Sequence, residues 1–329
     1  MHRLRPPAPA RQPLVLSSAL LAAFLIGSCG GDGDGPTEMV VVSLAKASGD
    51  AQTGAVSAPL IEPLVVRVTD QNGGTLQGRT VAWSVTSGQA TPSSSTSSSN
   101  ASGLASIQVT LGAQGGEVTI SASIGDSEVE FTATGLVPAA ISIVGGDDQN
   151  GRTLTAFAAP LVVRVATATG TPVPGARVDW SVTSGAATLD ASSVVADFAG
   201  QANVGLTGGT SLGDVSVLAE LSGSASSVTF SGRVTVFVID MINTAFEAPT
   251  GAADATVAVG DTVEWFNRDI GIGAHTATSS STPAGGSAFD SGNMAVNARF
   301  RFVPDAVGTW DYFCVIHGVA AMSGTLTAQ

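Results

Sequence analysis

"WSVTSG" stands at residues 83–88 and again at 180–185. Apolar and polar residues alternate before a Ser-Gly turn signal, the period-two pattern of a strand with one buried face. Outward from the two copies, the chain matches itself without gaps at an offset of 97 residues. "VVRV" at 65–68 recurs at 162–165. Gly103, Thr110, Gly112, Gly116, Val118 and Ala122 fall on Gly200, Thr207, Gly209, Gly213, Val215 and Ala219. A repeat of that length is large enough to close a two-sheet sandwich with its own core. Trp83 and Trp180 are then expected at the centres of two such cores.

The rest of the composition agrees. Gly, Ser, Thr and Val are abundant, charged residues make up only 12% of the 329, and no long segment shows a helical period with capping signals. The fold class expected is all-β. A net charge of −13 argues against a nucleic-acid binder, which needs clustered Lys and Arg to neutralise phosphates.

At the N-terminus, Arg3, Arg5 and Arg11 precede the apolar run "LVLSSALLAAFLIG" (14–27), too short for a stable membrane span. Residues 1–28 read as a signal peptide. The run ends in "LIGSCG", which resembles the lipobox of bacterial lipoproteins. That resemblance implies cleavage before Cys29, several acyl chains on that residue, and a membrane anchor through them. "CGGDGDGPTE" (29–38) would be the lipidated residue and its flexible tether. Gly30 after the cysteine implies export to the outer membrane or cell surface, with a periplasm-facing anchor as the alternative.

The repeats resemble the bacterial Ig-like domains of invasin- and intimin-type surface proteins. "WSVTSG" carries the likeness together with "NASGLASIQVTLG" (100–112) and "DFAGQANVGLTGG" (197–209). The resemblance implies two tandem Ig-like sandwiches, at 39–136 and 137–233. Neither contains a histidine, and "TPSSSTSSSN" (91–100) reads as a polar loop. A stalk is the expected role; adhesion through end loops is the alternative.

A different pattern begins at "VTVFVIDM" (234–241). Strands are expected at "TVAV", "TVEWFN", "ARFRFV", "TWDYFC" and "SGTLTA". Within 234–329 the chain gathers its rarest side chains as Cys314-x₂-His317-x₄-Met322, with His275 lying 39 residues before the cysteine. A thiolate is a soft, strong donor, two neutral imidazoles suit copper, zinc or iron, and a thioether is a weak ligand acceptable to copper. With Cys29 lipidated, Cys314 would be a lone exported thiol, which survives oxidation by burial or by holding a metal. In "TWDYFC", Trp310, Tyr312 and Cys314 should face inward and Phe313 outward.

"VGDTVEWFNRD", "HTATS", "FDSG" (289–292), "FRFVPDAVGTWDYFCVIHG" and "MSGTL" together resemble the cupredoxins of the plastocyanin and amicyanin group. The resemblance covers 234–329 and implies a Greek-key β-sandwich holding one type 1 copper per chain. It places His275, Cys314 and His317 in the trigonal plane and Met322 on the axis. His317 would be the electron exit, through an apolar patch. Thr276 stands where the family carries a polar residue, often Asn, beside the cysteine sulfur.

Too few histidines remain for a multicopper oxidase cluster. No "G-x-S-x-G" elbow is placed to meet a histidine base, and no P-loop or Rossmann glycine pattern opens a helix, so the chain is not expected to be an enzyme. The function expected is single-electron transfer between redox partners such as a c-type cytochrome. The alternatives are copper holding or delivery at the cell surface, and adhesion carried by the repeats. Nine Asp and Glu against three Arg in 234–329 point to basic partners.

Overall fold

The computed structural model describes residues 42–270 and 273–329. The signal peptide, Cys29 and the tether lie outside them. The described residues form strands, turns and bends, with no helix.

The 97-residue offset is a structural period. The nine strands from Ser43–Ser48 to Gly116–Ile124 recur 97 residues later, from Ala140–Gly145 to Gly213–Leu221, with the same bounds. In the first copy, a sheet of Ser43–Ser48, Leu64–Thr69 and Leu104–Ile107 accompanies a sheet of five strands. The second runs Gln52–Ala55, Ser127–Leu136, Gly116–Ile124, Thr80–Ser87, Thr96–Ser98. Leu64, Val66, Val68, Val81, Trp83, Ile120 and Phe131 are buried in one core, as strand alternation requires. Gly49 and Gly146 show why some glycines are shared. Both have positive φ (85° and 86°), and a Cβ there would stand 2.2 and 2.1 Å from the carbonyl oxygens of Pro63 and Pro160.

Both tryptophans are core residues, with ring centroids 5.9 Å (Trp83–Phe131) and 5.7 Å (Trp180–Phe230) apart. Their indoles differ. Trp83 Nε1 donates to Ser97 Oγ at 2.8 Å, whereas position 194 is Val and Trp180 Nε1 is buried without a partner among the described residues. Ser97→Ala is therefore expected to lower stability by about 1 kcal/mol, read from the urea midpoint. The sandwich should still form, since the second copy already tolerates the orphan.

The period breaks at the tenth strand. In the first copy it ends at Leu136, but in the second one strand, Ser227–Ile242, runs 16 residues without interruption. The boundary expected at 233/234 falls inside it. Its first half pairs with Gly213–Leu221, and its second half pairs in parallel with Thr262–Asn267, which pairs in turn with Arg299–Phe302. One eight-stranded sheet thus serves the second repeat and the C-terminal region. The sequence similarity ends where the domains change, but Val alternation continues, and alternation is what the backbone obeys.

Behind this sheet lies a third core, with Phe237, Ile239, Met241, Val263, Trp265, Phe289, Trp310, Tyr312 and Leu326 buried. A second sheet closes it: Ala255–Val257, Ser323–Ala328, Gly308–Phe313, Thr278–Ser279. Trp265 is packed edge-on against Tyr312 at 5.3 Å and beside Phe289 at 4.9 Å. The Tyr312 hydroxyl donates to the Ala253 carbonyl at 2.5 Å, and burial pushes its phenol well above the ordinary value.

Candidate metal centre

The strand Gly308–Phe313 delivers Cys314 to one end of this sandwich. Trp310, Tyr312 and Cys314 face the core, while Asp311 is exposed and Phe313 half-buried. The chain then curls back. Gly318 N–H donates to the Cys314 carbonyl (2.8 Å), Met322 N–H to the Gly318 carbonyl (3.1 Å), and Cys314 N–H to the Met322 carbonyl (3.0 Å). Gly318 permits this with φ = 77°, a left-handed conformation costly for other residues. The short spacing therefore returns Met322, which is buried in the same core as Cys314.

His275 arrives from the other side. Its backbone exchanges both hydrogen bonds with Met294 (3.2 and 2.8 Å), and its ring is 0% exposed. Cys314 Sγ lies 3.9 Å from His275 Nδ1 and 3.3 Å from His317 Nδ1. One donor atom from each of the three residues falls within 4.8 Å of the others. Donors that each bind a metal at roughly 2.0–2.3 Å stand about 3–4 Å apart, a range that the two sulfur–nitrogen separations match. Cys314 is a free, buried thiol.

The His275 ring is fixed in orientation. Its Nε2 lies 2.6 Å from Asp269 Oδ2, so Nε2–H donates to the carboxylate and the Nδ1 lone pair faces the sulfur. Burial alone would raise the Asp269 carboxyl. The Asn243 N–H and the His275 ring outweigh it and hold the group below its ordinary value. Asn267, fully buried, braces the same loop by donating to the carbonyls of Gly273 and Met294, both at 2.9 Å. Gly273 gives Asp269 room: a Cβ there would come within 2.1 Å of Oδ2.

Asp269→Asn is expected to weaken metal binding by about 10–100-fold while leaving the metal-free fold intact, measured by chelator competition. Sequence reasoning missed Asp269 and Asn267. The signal was the polar run "NRD" that follows the aromatic pair Trp265 and Phe266 at the end of the strand.

The sulfur accepts a hydrogen bond from the backbone N–H of Thr276 at 3.3 Å. Its donor is main chain, so the identity of residue 276 does not govern it. The Thr276 hydroxyl instead accepts from Val315 N–H at 2.8 Å, tying the segments that carry His275 and Cys314 together. His317 is half-buried, and Val315, Ile316 and Val319 around it are exposed.

No curated protein matches the chain. Among solved structures, the D0-D1 domain of Intimin is 21% identical over 59% of this chain and 99% of its own, with a TM-score of 0.25. The Yersinia pseudotuberculosis adhesin InvE is 18% identical over 60% of each chain, TM-score 0.30. A reduced Cu(I) form of an amicyanin mutant is 26% identical over 29% of this chain and 82% of its own, TM-score 0.24. The two repeats, at residues 62–136 and 155–232, match the family model of the bacterial Ig-like domain (group 1).

Proposed function

We propose that the chain is an exported, lipid-anchored type 1 copper protein that passes single electrons between redox partners, with two Ig-like domains as its stalk. The observation that carries the reading is the convergence of His275 Nδ1 and His317 Nδ1 on Cys314 Sγ, with His275 and Cys314 buried, His317 half-buried and Met322 in the same core as Cys314. A thiolate, two imidazoles and a thioether form the donor set of blue copper. Zinc competes for the first three donors but gains little from the thioether. When bound, the metal supplies a reversible Cu(II)/Cu(I) couple.

The residues divide the remaining work. Asp269 holds the His275 tautomer, and Thr276 N–H stabilises charge on the sulfur. His275 is sealed at 0% exposure, whereas His317 reaches the surface among Val315 and Val319, 56% and 57% exposed. His317 is thus the side chain through which an electron leaves or enters, and the apolar rim excludes water when a partner such as a c-type cytochrome docks. The role is that of a carrier, and none of the ligand residues is assigned a catalytic step. Cys29 would carry the lipid, anchoring the chain at the outer membrane or cell surface.

Voltammetry of the copper-loaded protein tests the reading. A reversible one-electron wave, with copper retained in the reduced form against a Cu(I) chelator, is expected. Loss of copper to the chelator on reduction, without a reversible wave, would replace electron transfer by copper delivery. Binding of surface ligands by the intact chain with Cys314→Ser as tightly as without it would favour adhesion by the repeats.

A further inference from the structure

Glu264 lies in the strand Thr262–Asn267, on the sheet face turned away from the third core, and its side chain is 0% exposed. Three guanidinium groups cover it. Arg301 Nε donates to Oε2 at 2.7 Å, while Arg299 and Arg152 both pair with Oε1. Register explains two of them, since Arg301 lies directly opposite Glu264 and Arg299 opposite Phe266. Arg152 comes from the second repeat.

The cluster continues along the strand. Arg299 lies over the Phe266 ring at 3.7 Å and Arg268 at 4.7 Å, and Arg268 pairs with Asp240 at 2.6 Å. Four arginines thus face three carboxylates, Glu264, Asp240 and the exposed Glu247 opposite Asp240, leaving a net charge of +1 on one face of a chain whose total is −13. Residues 234–329 contain three arginines and no lysine, and all three arginines stand here. They remain accessible, with Arg268 and Arg299 each 42% and Arg301 53% exposed.

A guanidinium carries more N–H donors than one carboxylate oxygen can use, so each arginine keeps donors directed outward. These side chains are already pinned by a buried carboxylate and an aromatic ring. Binding a further anion therefore costs little of the rotamer entropy that a free arginine would lose. Arginine is also enriched at protein interfaces.

We infer that this arginine face is a docking surface for the carboxylate-rich face of a partner protein, separate from the metal centre. Charge argues for a protein over a polyanion such as a membrane surface. An extended anionic surface repels the acidic remainder of the chain, whereas a local acidic face feels mainly the patch within a Debye length of about 8 Å. The acidic balance of residues 234–329 pointed to basic partners; on this face the requirement is reversed. The inference does not depend on the metal.

The test is a nitrogen-15 NMR titration of the whole metal-free chain with deca-glutamate peptide. Shift changes confined to the amides of residues 264–268 and 299–301 are expected, shrinking several-fold as salt rises from about 20 to 200 mM. Arg268→Gln, which leaves all three partners of Glu264 in place, should weaken binding several-fold without changing the rest of the spectrum. Absent shifts at low salt, shifts centred elsewhere, or unchanged affinity in Arg268→Gln would overturn the inference. So would tripolyphosphate moving these amides where the peptide does not, which would make the face a phosphate site. Concentration-dependent self-association abolished by Arg268→Gln would assign it to a second copy and overturn it as well.

Discussion

Glu264→Ala is expected to destabilise the chain by about 3 kcal/mol, the lower end of what breaking a buried ion pair costs. The lower end applies because the arginines left behind are partly solvated and can recover water. Arg152→Met should cost less, since Glu264 keeps Arg299 and Arg301. Its effect should appear chiefly as loosened coupling between the second repeat and the third core. That junction has other ties: Thr153 N–H donates to the Val236 carbonyl at 3.0 Å, and the buried Thr153 hydroxyl accepts from Val238 N–H at 2.8 Å. Urea midpoints of the two variants, followed by circular dichroism, give the comparison. Equal losses would contradict the account, because they would make the carboxylate worth no more than one of its three partners.

Cys314→Ser has the second large effect. A serine hydroxyl fits the space and can accept the Thr276 N–H, so the metal-free protein should fold as before. It is a poor soft-metal donor, and copper affinity should fall by more than the roughly 10–100-fold that losing an outer hydrogen bond costs. Absorption arising from thiolate-to-metal charge transfer should vanish altogether. A variant retaining wild-type copper affinity would move the binding site away from Cys314. Chelator competition and visible spectra on the same samples separate these outcomes.

The division between legible and hidden features follows from how far apart in sequence the interacting groups lie. The repeats could be read because each strand obeys a local period, and the same residues return 97 positions later. Cys314, His317 and Met322 could be read because rare side chains cluster within nine positions, and His275 because it is the other histidine of that region. Asp269 and Asn267 were hidden, since Asp and Asn after a strand read first as turn formers. Glu264 in "TVEWFN" reads as a solvated outward position, and its cross-strand arginines in "ARFRFV" alternate in the same way. Arg152, 112 residues away, has no local signal at all. A comparison of the repeats offers one: where the second has Arg152 and Thr153, the first has Ala55 and Val56. Both pairs sit where one sandwich meets the next, for Ala55 N–H donates to the Pro174 carbonyl at 2.7 Å.

The long strand also links the junction to the metal centre. It ends at Ile242, and Asn243, in a left-handed turn at φ = 57°, supplies the N–H that helps hold Asp269 against His275. A fragment cut at residue 234 would sever this strand and discard Arg152, so the whole chain is the proper sample. The most direct measurement is electron-spin resonance of that chain loaded with one equivalent of Cu(II), with its visible spectrum recorded on the same sample. The account predicts an intense blue band and a narrow copper hyperfine splitting, the signature of a thiolate in a trigonal site. A wide splitting with a weak band, as for square-planar copper on oxygen and nitrogen donors, would contradict it.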